Sequence, residues 1–247
     1  MLRRSLFVIF LVLIVYNVSF GSKLTIIYTP SMQKPIEKIN ELFKNQDKNI
    51  EIRSIPIIAG AAFEQIKKGY PADIFISADT MYPKKLVEQG FALENSYFIY
   101  AKGVLVLYSN VLELDKANCI GNVEKTKGYI GIINPVLGPY GKATVQALEN
   151  ARLLESVQKR FVQGKDALQV LQYAKTNNAS LVFLPLSLVI GSDEKNYCIV
   201  DKKLYSPIQQ AMVILNSSKN KSAAYKYLEL MKSKKVKEIL KAYGFET

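Results

Sequence analysis

The 247 residues contain no histidine, no tryptophan and only two cysteines. Without an imidazole there is no histidine general base, which excludes Ser-His and Cys-His nucleophilic mechanisms. Two thiols and no imidazole also argue against a zinc or copper centre, whose ligand sets are drawn from those groups. No phosphate loop of the Walker type occurs, so any ATP hydrolysis belongs to another chain. Beyond the first twenty residues no apolar run approaches the ~20 residues of a membrane-spanning helix. Internal repeats, low-complexity stretches and long linkers are missing too. A division into lobes must therefore come from the chain crossing over between them. No cofactor is expected.

The N-terminus is a targeting segment by composition. Arg3 and Arg4 form a basic start, Leu6 to Val15 is almost continuously apolar, and Ser19 and Gly21 put small residues at a cleavage site after Gly21. This predicts a signal peptide at 1–21, the alternative being an uncleaved anchor. No cysteine follows the apolar run to take a lipid. The mature protein is expected outside the cytoplasm. Formal net charge is +12, and +10 once Arg3 and Arg4 are removed. Export argues against nucleic acid as the partner of that charge. Lys232 to Lys237 reads as the solvated face of a helix. Cys119 and Cys198 are either one bridge or two separate buried thiols. A bridge would contribute about 4–5 kcal/mol by the chain-entropy account.

The 49% hydrophobic content is enough for one large domain or two lobes. Apolar periodicity alternates between strand and helix with short connections. Strands are predicted at 23–28, 50–57, 74–76, 104–108, 129–133, 181–184 and 208–215. Helices are predicted to about Lys44, from Ala61 to Lys67, from an Asp79 or Thr80 cap to about Gln89, from Gly141 to about Leu154, from an Asp166 cap through Ala174, and across most of 221–243. This is an α/β pattern with helices on both sheet faces.

Three strand-to-helix junctions stand out: Thr29-Pro30-Ser31, Ala59-Gly60 and Pro139-Tyr140-Gly141. In open α/β sheets ligands bind outside the carboxyl ends of the strands. Helix starts gathered there present unpaired N–H groups and partial positive charge, which suits an anion. Each junction taken singly also reads as an ordinary turn and cap.

The segment Gln65-Ile66-Lys67-Lys68-Gly69-Tyr70-Pro71-Ala72-Asp73-Ile74-Phe75-Ile76-Ser77-Ala78-Asp79 resembles the Q-I-x-x-G-x-P-A-D-x-F-x-S-A-D stretch of the periplasmic molybdate-binding proteins. Ala242-Tyr243-Gly244-Phe245 resembles that family's closing Y-G-F, and the first strand followed by Ser31 resembles its opening. The resemblance implies a two-lobed type II periplasmic-binding-protein fold of mixed sheets flanked by helices, joined by two crossing strands. Placed on this chain, lobe I takes 22–102 and 208–247, and lobe II takes 103–207.

It further implies a monomeric receptor of an ABC importer, not an enzyme. Such a receptor closes over a small oxyanion, molybdate or tungstate, and passes it to a permease in the inner membrane. Carried over by position, the ligand contacts are Ser31, Ala59, Tyr140, Ala167 and Leu184. Three depart from the family's usual residues: serine is common at Ala59, a small residue at Tyr140 and tyrosine at Leu184. Either the Tyr140 phenol enters the pocket and replaces a lost donor, or it packs at the cleft rim. Ser187 is a possible substitute hydroxyl. Lys142 either supplies charge or is solvated. Asp73 and Asp79 read as structural, a turn acceptor and a helix cap.

Other readings stay open. They are a receptor for sulfate, phosphate, an organic acid or tyrosine-bound ferric iron, a ligand-free module, and an enzyme pairing Ser31 or Ser187 with Lys142.

Overall fold

A computed structural model describes residues 23–247; the expected signal peptide lies outside the described residues. Ten strands make two five-stranded sheets. The first contains β1 (Lys23–Tyr28), β2 (Glu51–Pro56), β3 (Ile74–Ile76), β4 (Phe98–Gly103) and β10 (Ile208–Ile214), in the order β2-β1-β3-β10-β4. The second contains β5 (Leu105–Tyr108), β6 (Ile130–Ile133), β7 (Phe161–Gly164), β8 (Leu181–Pro185) and β9 (Tyr197–Ile199), in the order β7-β6-β8-β5-β9. Both sheets are mixed. In the first, β1 runs parallel to β2 and β3 while β10 is antiparallel to β3 and β4. In the second, β6 runs parallel to β7 and β8 while β5 is antiparallel to β8 and β9.

Cover on both faces explains why β1 can carry the consecutive apolar residues Ile26 and Ile27. Ile26 faces one core with Ile74 and Met212, and Ile27 faces another with Phe75 and Val213. The first core is closed by α1 (Gln33–Gln46) and the two C-terminal helices, through Ile36, Ile39, Phe43, Leu228 and Leu240. The second is closed by α2 (Ala59–Lys67) and α3 (Met81–Glu88), through Ala62, Phe63 and Leu86. In the second sheet, α4 (Asn122–Lys125), α5 (Pro139–Asn150), α6 (Leu154–Val157), α7 (Ala167–Lys175) and α8 (Leu186–Val189) surround a core built on Leu107, Ile132 and Phe183. The chain passes between sheets at Gly103–Val104 and returns at Pro207–Ile208, so β4 and β10 are the crossing strands.

Several local expectations shift. The helix predicted from Gly141 to Leu154 begins at Pro139 and stops at Asn150, because Arg152 turns to φ 60°. The C-terminal stretch is two helices, α9 (Lys221–Lys232) and α10 (Lys234–Ala242). Ser233 breaks it and caps α10 by accepting from the Val236 amide at 3.3 Å. Asp79 caps α3 through the Tyr82 amide at 2.9 Å. Asp73 is buried and accepts from the Thr25 amide and the Ser218 hydroxyl, both at 2.7 Å, so it ties β1 to the segment before α9 instead of serving a turn. Cys119 and Cys198 form a disulfide with Cα atoms 5.5 Å apart, joining the loop before α4 to β9. No helix among the described residues is long and apolar enough to cross a membrane.

Candidate functional site

The two sheets are built the same way. In each, two strand–helix units place three parallel strands side by side, β2-β1-β3 in one and β7-β6-β8 in the other. The carboxyl ends of these six strands meet, and between them lies a small cavity of ≈ 40 Å³. Pockets for drug-sized molecules run to roughly 300–1,000 Å³, so this one suits a ligand of few atoms. Thr29 and Ser31 follow β1, Ala59 follows β2 and Ala78 follows β3; Tyr140 follows β6, Ala167 follows β7 and Pro185 ends β8, and all of these line the cavity.

Backbone donors converge there. Ala59 is the first residue of α2, Tyr140 the second of α5 after Pro139, and Ala167 the first of α7. Ser31 is the middle residue of a 3-10 turn, Pro30–Met32. Amides at helix starts have no acceptor within the helix. Among the described residues, none of these four amides donates to a loop or strand carbonyl. Two such residues follow strands of each sheet and line the one cavity, an arrangement that favours negative charge there without a charged side chain.

The side chains add two hydroxyls. Thr29 Oγ1 and Ser31 Oγ are buried and have no hydrogen-bond partner among the described residues. Leaving a buried polar group unpaired costs about 1–3 kcal/mol, so two in one small cavity call for an acceptor to fill it. Thr29 escaped the sequence reading as a contact. Its signal was a hydroxyl directly after a strand, with no cap to make.

Two charged residues also line the cavity. Asp166 is committed to its own helix, accepting from the Gln169 amide at 2.9 Å. Lys165 is exposed and stands at the rim. Lys142 is exposed and lines a separate outer cavity of ≈ 600 Å³, which shares Leu137, Gly138 and Pro139 with the inner one.

Of the five residues expected to contact ligand, the fold brings Ser31, Ala59, Tyr140 and Ala167 to the cavity wall. Leu184 is not on it. Its register partner is Val106, its side chain is fully buried in the second-sheet core, and the strand reaches the cavity one residue later at Pro185, which has no N–H to donate.

The Tyr140 phenol oxygen is engaged within the protein interior. The residue is buried, and that oxygen accepts from Gln210 Nε2 at 2.9 Å, while Gln210 Oε1 accepts from the Tyr100 hydroxyl at 2.8 Å. Tyr100 also reaches the Ser77 carbonyl at 3.0 Å. Burial pushes the Tyr140 and Tyr100 phenols well above their ordinary range, so both stay neutral donors and acceptors. A Cβ on Gly103 would sit 2.0 Å from the Tyr140 oxygen, which is why the crossing strand carries glycine there. Tyr140 therefore serves twice, its amide toward the cavity and its phenol toward the crossing strands.

Ser187 does not replace a cavity donor either. Its hydroxyl donates to the Ser31 carbonyl at 2.8 Å. Lys142 lines the outer cavity, whose wall includes neither Ser31 nor Ser187, and neither serine hydroxyl bonds to it.

Residues 24–246 match the family described as bacterial extracellular solute-binding protein. The chain is 35% identical over 190 residues to the molybdate-binding protein ModA of Rhodobacter capsulatus, covering 76% of this chain and 75% of that one. Against ModA of Azotobacter vinelandii it is 36% identical over 194 residues, 75% of each chain. The solved Azotobacter vinelandii periplasmic molybdate-binding protein superposes with a TM-score of 0.81 at 31% identity, covering 91% of this chain and 99% of that one. With its paired mixed sheets, crossing strands and donor-lined cleft, the chain belongs to the bacterial extracellular solute-binding proteins.

Proposed function

We propose that this protein is the periplasmic receptor of an ABC importer and binds a tetrahedral oxyanion, molybdate or tungstate, between its lobes. The observation that carries this reading is the pair of buried, unpartnered hydroxyls of Thr29 and Ser31 at a point where four helix-start amides also lack acceptors. An oxyanion offers acceptors in a tetrahedral arrangement and no donors, the complement of that set. Each hydrogen bond to a charged ligand contributes about 1.5–3 kcal/mol. The small cavity and the likeness to proteins named for molybdate support the same ligand.

Ligand chemistry narrows the alternatives. Hydrogen phosphate carries a proton and needs an acceptor. The carboxylate on the wall, Asp166, has one oxygen in its helix cap, and its other oxygen is the acceptor a protonated phosphate would have to reach. Sulfate has no proton to place and remains the competitor to beat. Ferric iron would need phenolates, whereas the Tyr140 phenol bonds to Gln210.

The division into lobe I (22–102 and 208–247) and lobe II (103–207), removal of the signal peptide after Gly21, a monomeric state and delivery to an inner-membrane permease belong to this proposal. Titration calorimetry of the mature protein with molybdate, tungstate, sulfate and phosphate tests it. Tight binding of the first two with weak or absent binding of the others is the expected result. Preference for phosphate, or no heat with any oxyanion, overturns it.

A further inference from the structure

Ser187 is a buried hydroxyl that the site leaves without a direct role. It sits in α8, on the second-sheet side, two residues after the cavity-lining Pro185. It makes no cap for its own helix. Its proton goes across the boundary between the sheets to the carbonyl of Ser31, at 2.8 Å, with both residues buried. Ser31 is the residue whose own hydroxyl is unpartnered at the cavity. One residue is therefore held from behind by the opposite lobe while its side chain faces the ligand space.

A second bond runs the other way. Lys34, in the first turn of α1, donates its Nζ to the carbonyls of Leu188 at 3.4 Å and Ile190 at 3.2 Å, at the carboxyl end of α8. The C-terminal turn of lobe I rests on the same short helix. A Cβ on Gly244 would lie 2.6 Å from Leu186 Cγ. Helix α8 is thus seated on lobe I by two reciprocal donors and a close packing contact.

We propose that Ser187 and Lys34 form a latch between the lobes, in which Ser187 positions the Ser31 turn and sets how long a bound anion is retained. This rests on the reading of the protein as a receptor whose lobes part and close. The latch bonds exist only when α8 meets the Ser31 turn, so they act on ligand escape and not on encounter. Ser187 is a positioning residue: it touches the residue proposed to hold ligand, not the ligand.

The test uses the mature protein, sodium molybdate and tyrosine fluorescence in stopped flow, with small-angle scattering alongside. Ser187→Ala should raise koff about tenfold and leave kon unchanged, since one buried hydrogen bond of the closed form is lost. Ser187→Thr keeps the hydroxyl and should restore koff to within about threefold of wild type. The ligand-free melting temperature of Ser187→Ala should fall less than the ligand-bound one, because the latch is only partly populated until ligand closes the lobes.

Unchanged koff in Ser187→Ala, or a ligand-free melting temperature that falls as far as the ligand-bound one, overturns the latch. If the wild type binds no oxyanion, the ligand assignment fails separately. Ligand-free scattering then decides the latch: wild type must be more compact than the Ser187→Ala/Lys34→Ala double variant, and identical profiles sink it.

Discussion

Replacing Tyr140 by phenylalanine separates the two tasks of that residue. The ring stays and continues to fill its site, so packing changes little. What disappears is the oxygen that accepts from Gln210 Nε2 at 2.9 Å. Gln210 is fully buried, and its Oε1 is already taken by the Tyr100 hydroxyl at 2.8 Å, which holds the amide in one orientation. The amide N–H is therefore stranded, at a cost of about 1–3 kcal/mol. For a protein of this size each kcal/mol moves the melting temperature roughly 2–4 °C, so a fall of roughly 2–12 °C is expected without ligand. The backbone amide of residue 140 is untouched, so molybdate affinity should change less than about threefold. Scanning calorimetry and titration calorimetry on the same samples measure both quantities. If the phenol instead served the ligand, the pattern would invert. Affinity would fall about 10–100-fold, the value of one charged hydrogen bond, with the ligand-free melting temperature unmoved. That inverted result would refute the placement of the phenol at the crossing strands.

Three further outcomes follow from the same geometry. Thr29→Val and Ser31→Ala each remove a buried hydroxyl that has no partner among the described residues. Ligand-free stability should hold or rise while molybdate affinity drops about 10–100-fold per substitution, read by calorimetry. Gly141→Ala would place a Cβ 2.1 Å from the Ile133 carbonyl oxygen, so the start of α5 must move off β6; both the melting temperature and anion affinity should fall, the latter by more than tenfold. Replacing Cys119 and Cys198 by serine opens a loop of 79 residues. That should cost about 4–5 kcal/mol of stability, seen in denaturant titration, with affinity unchanged because the bridge lies on β9, away from the cavity.

Much of the fold could be read from periodicity because both faces of each sheet are covered. Strands such as Ile74–Ile76 and Leu181–Pro185 are continuous apolar runs, and the longer helices carry clear apolar stripes. The strands that the pattern did not reveal, β4, β7 and β9, are all sheet edges. Edge strands of three to six residues carry little alternation, and neighbouring strands decide their existence.

Helix starts were placed two residues late at Ala59 and Pro139, because apolar spacing begins only after the first turn. Pro139 was the available signal, since proline favours the first helical position. Those two residues matter, as they decide that Ala59 and Tyr140 carry unpaired amides.

Side-chain destinations were the harder part of the site. The Tyr140 phenol is decided by Gln210, seventy positions away, and the Ser187 hydroxyl by Ser31, 156 positions away. No local pattern encodes either meeting. Leu184 stands one strand residue before the cavity-lining Pro185, with its side chain in the core.

Unpaired amides from both lobes, with the hydroxyls of Thr29 and Ser31, are proposed to surround a bound oxyanion. A crystal structure of the mature protein grown with molybdate, with the metal located by its anomalous scattering, tests it directly. The metal is expected in the inner cavity, its oxygens within hydrogen-bond reach of Thr29 Oγ1, Ser31 Oγ and the amides of Ala59, Tyr140 and Ala167. An anion bound beside Lys142 in the outer cavity, with Thr29 and Ser31 still unpartnered, would contradict it.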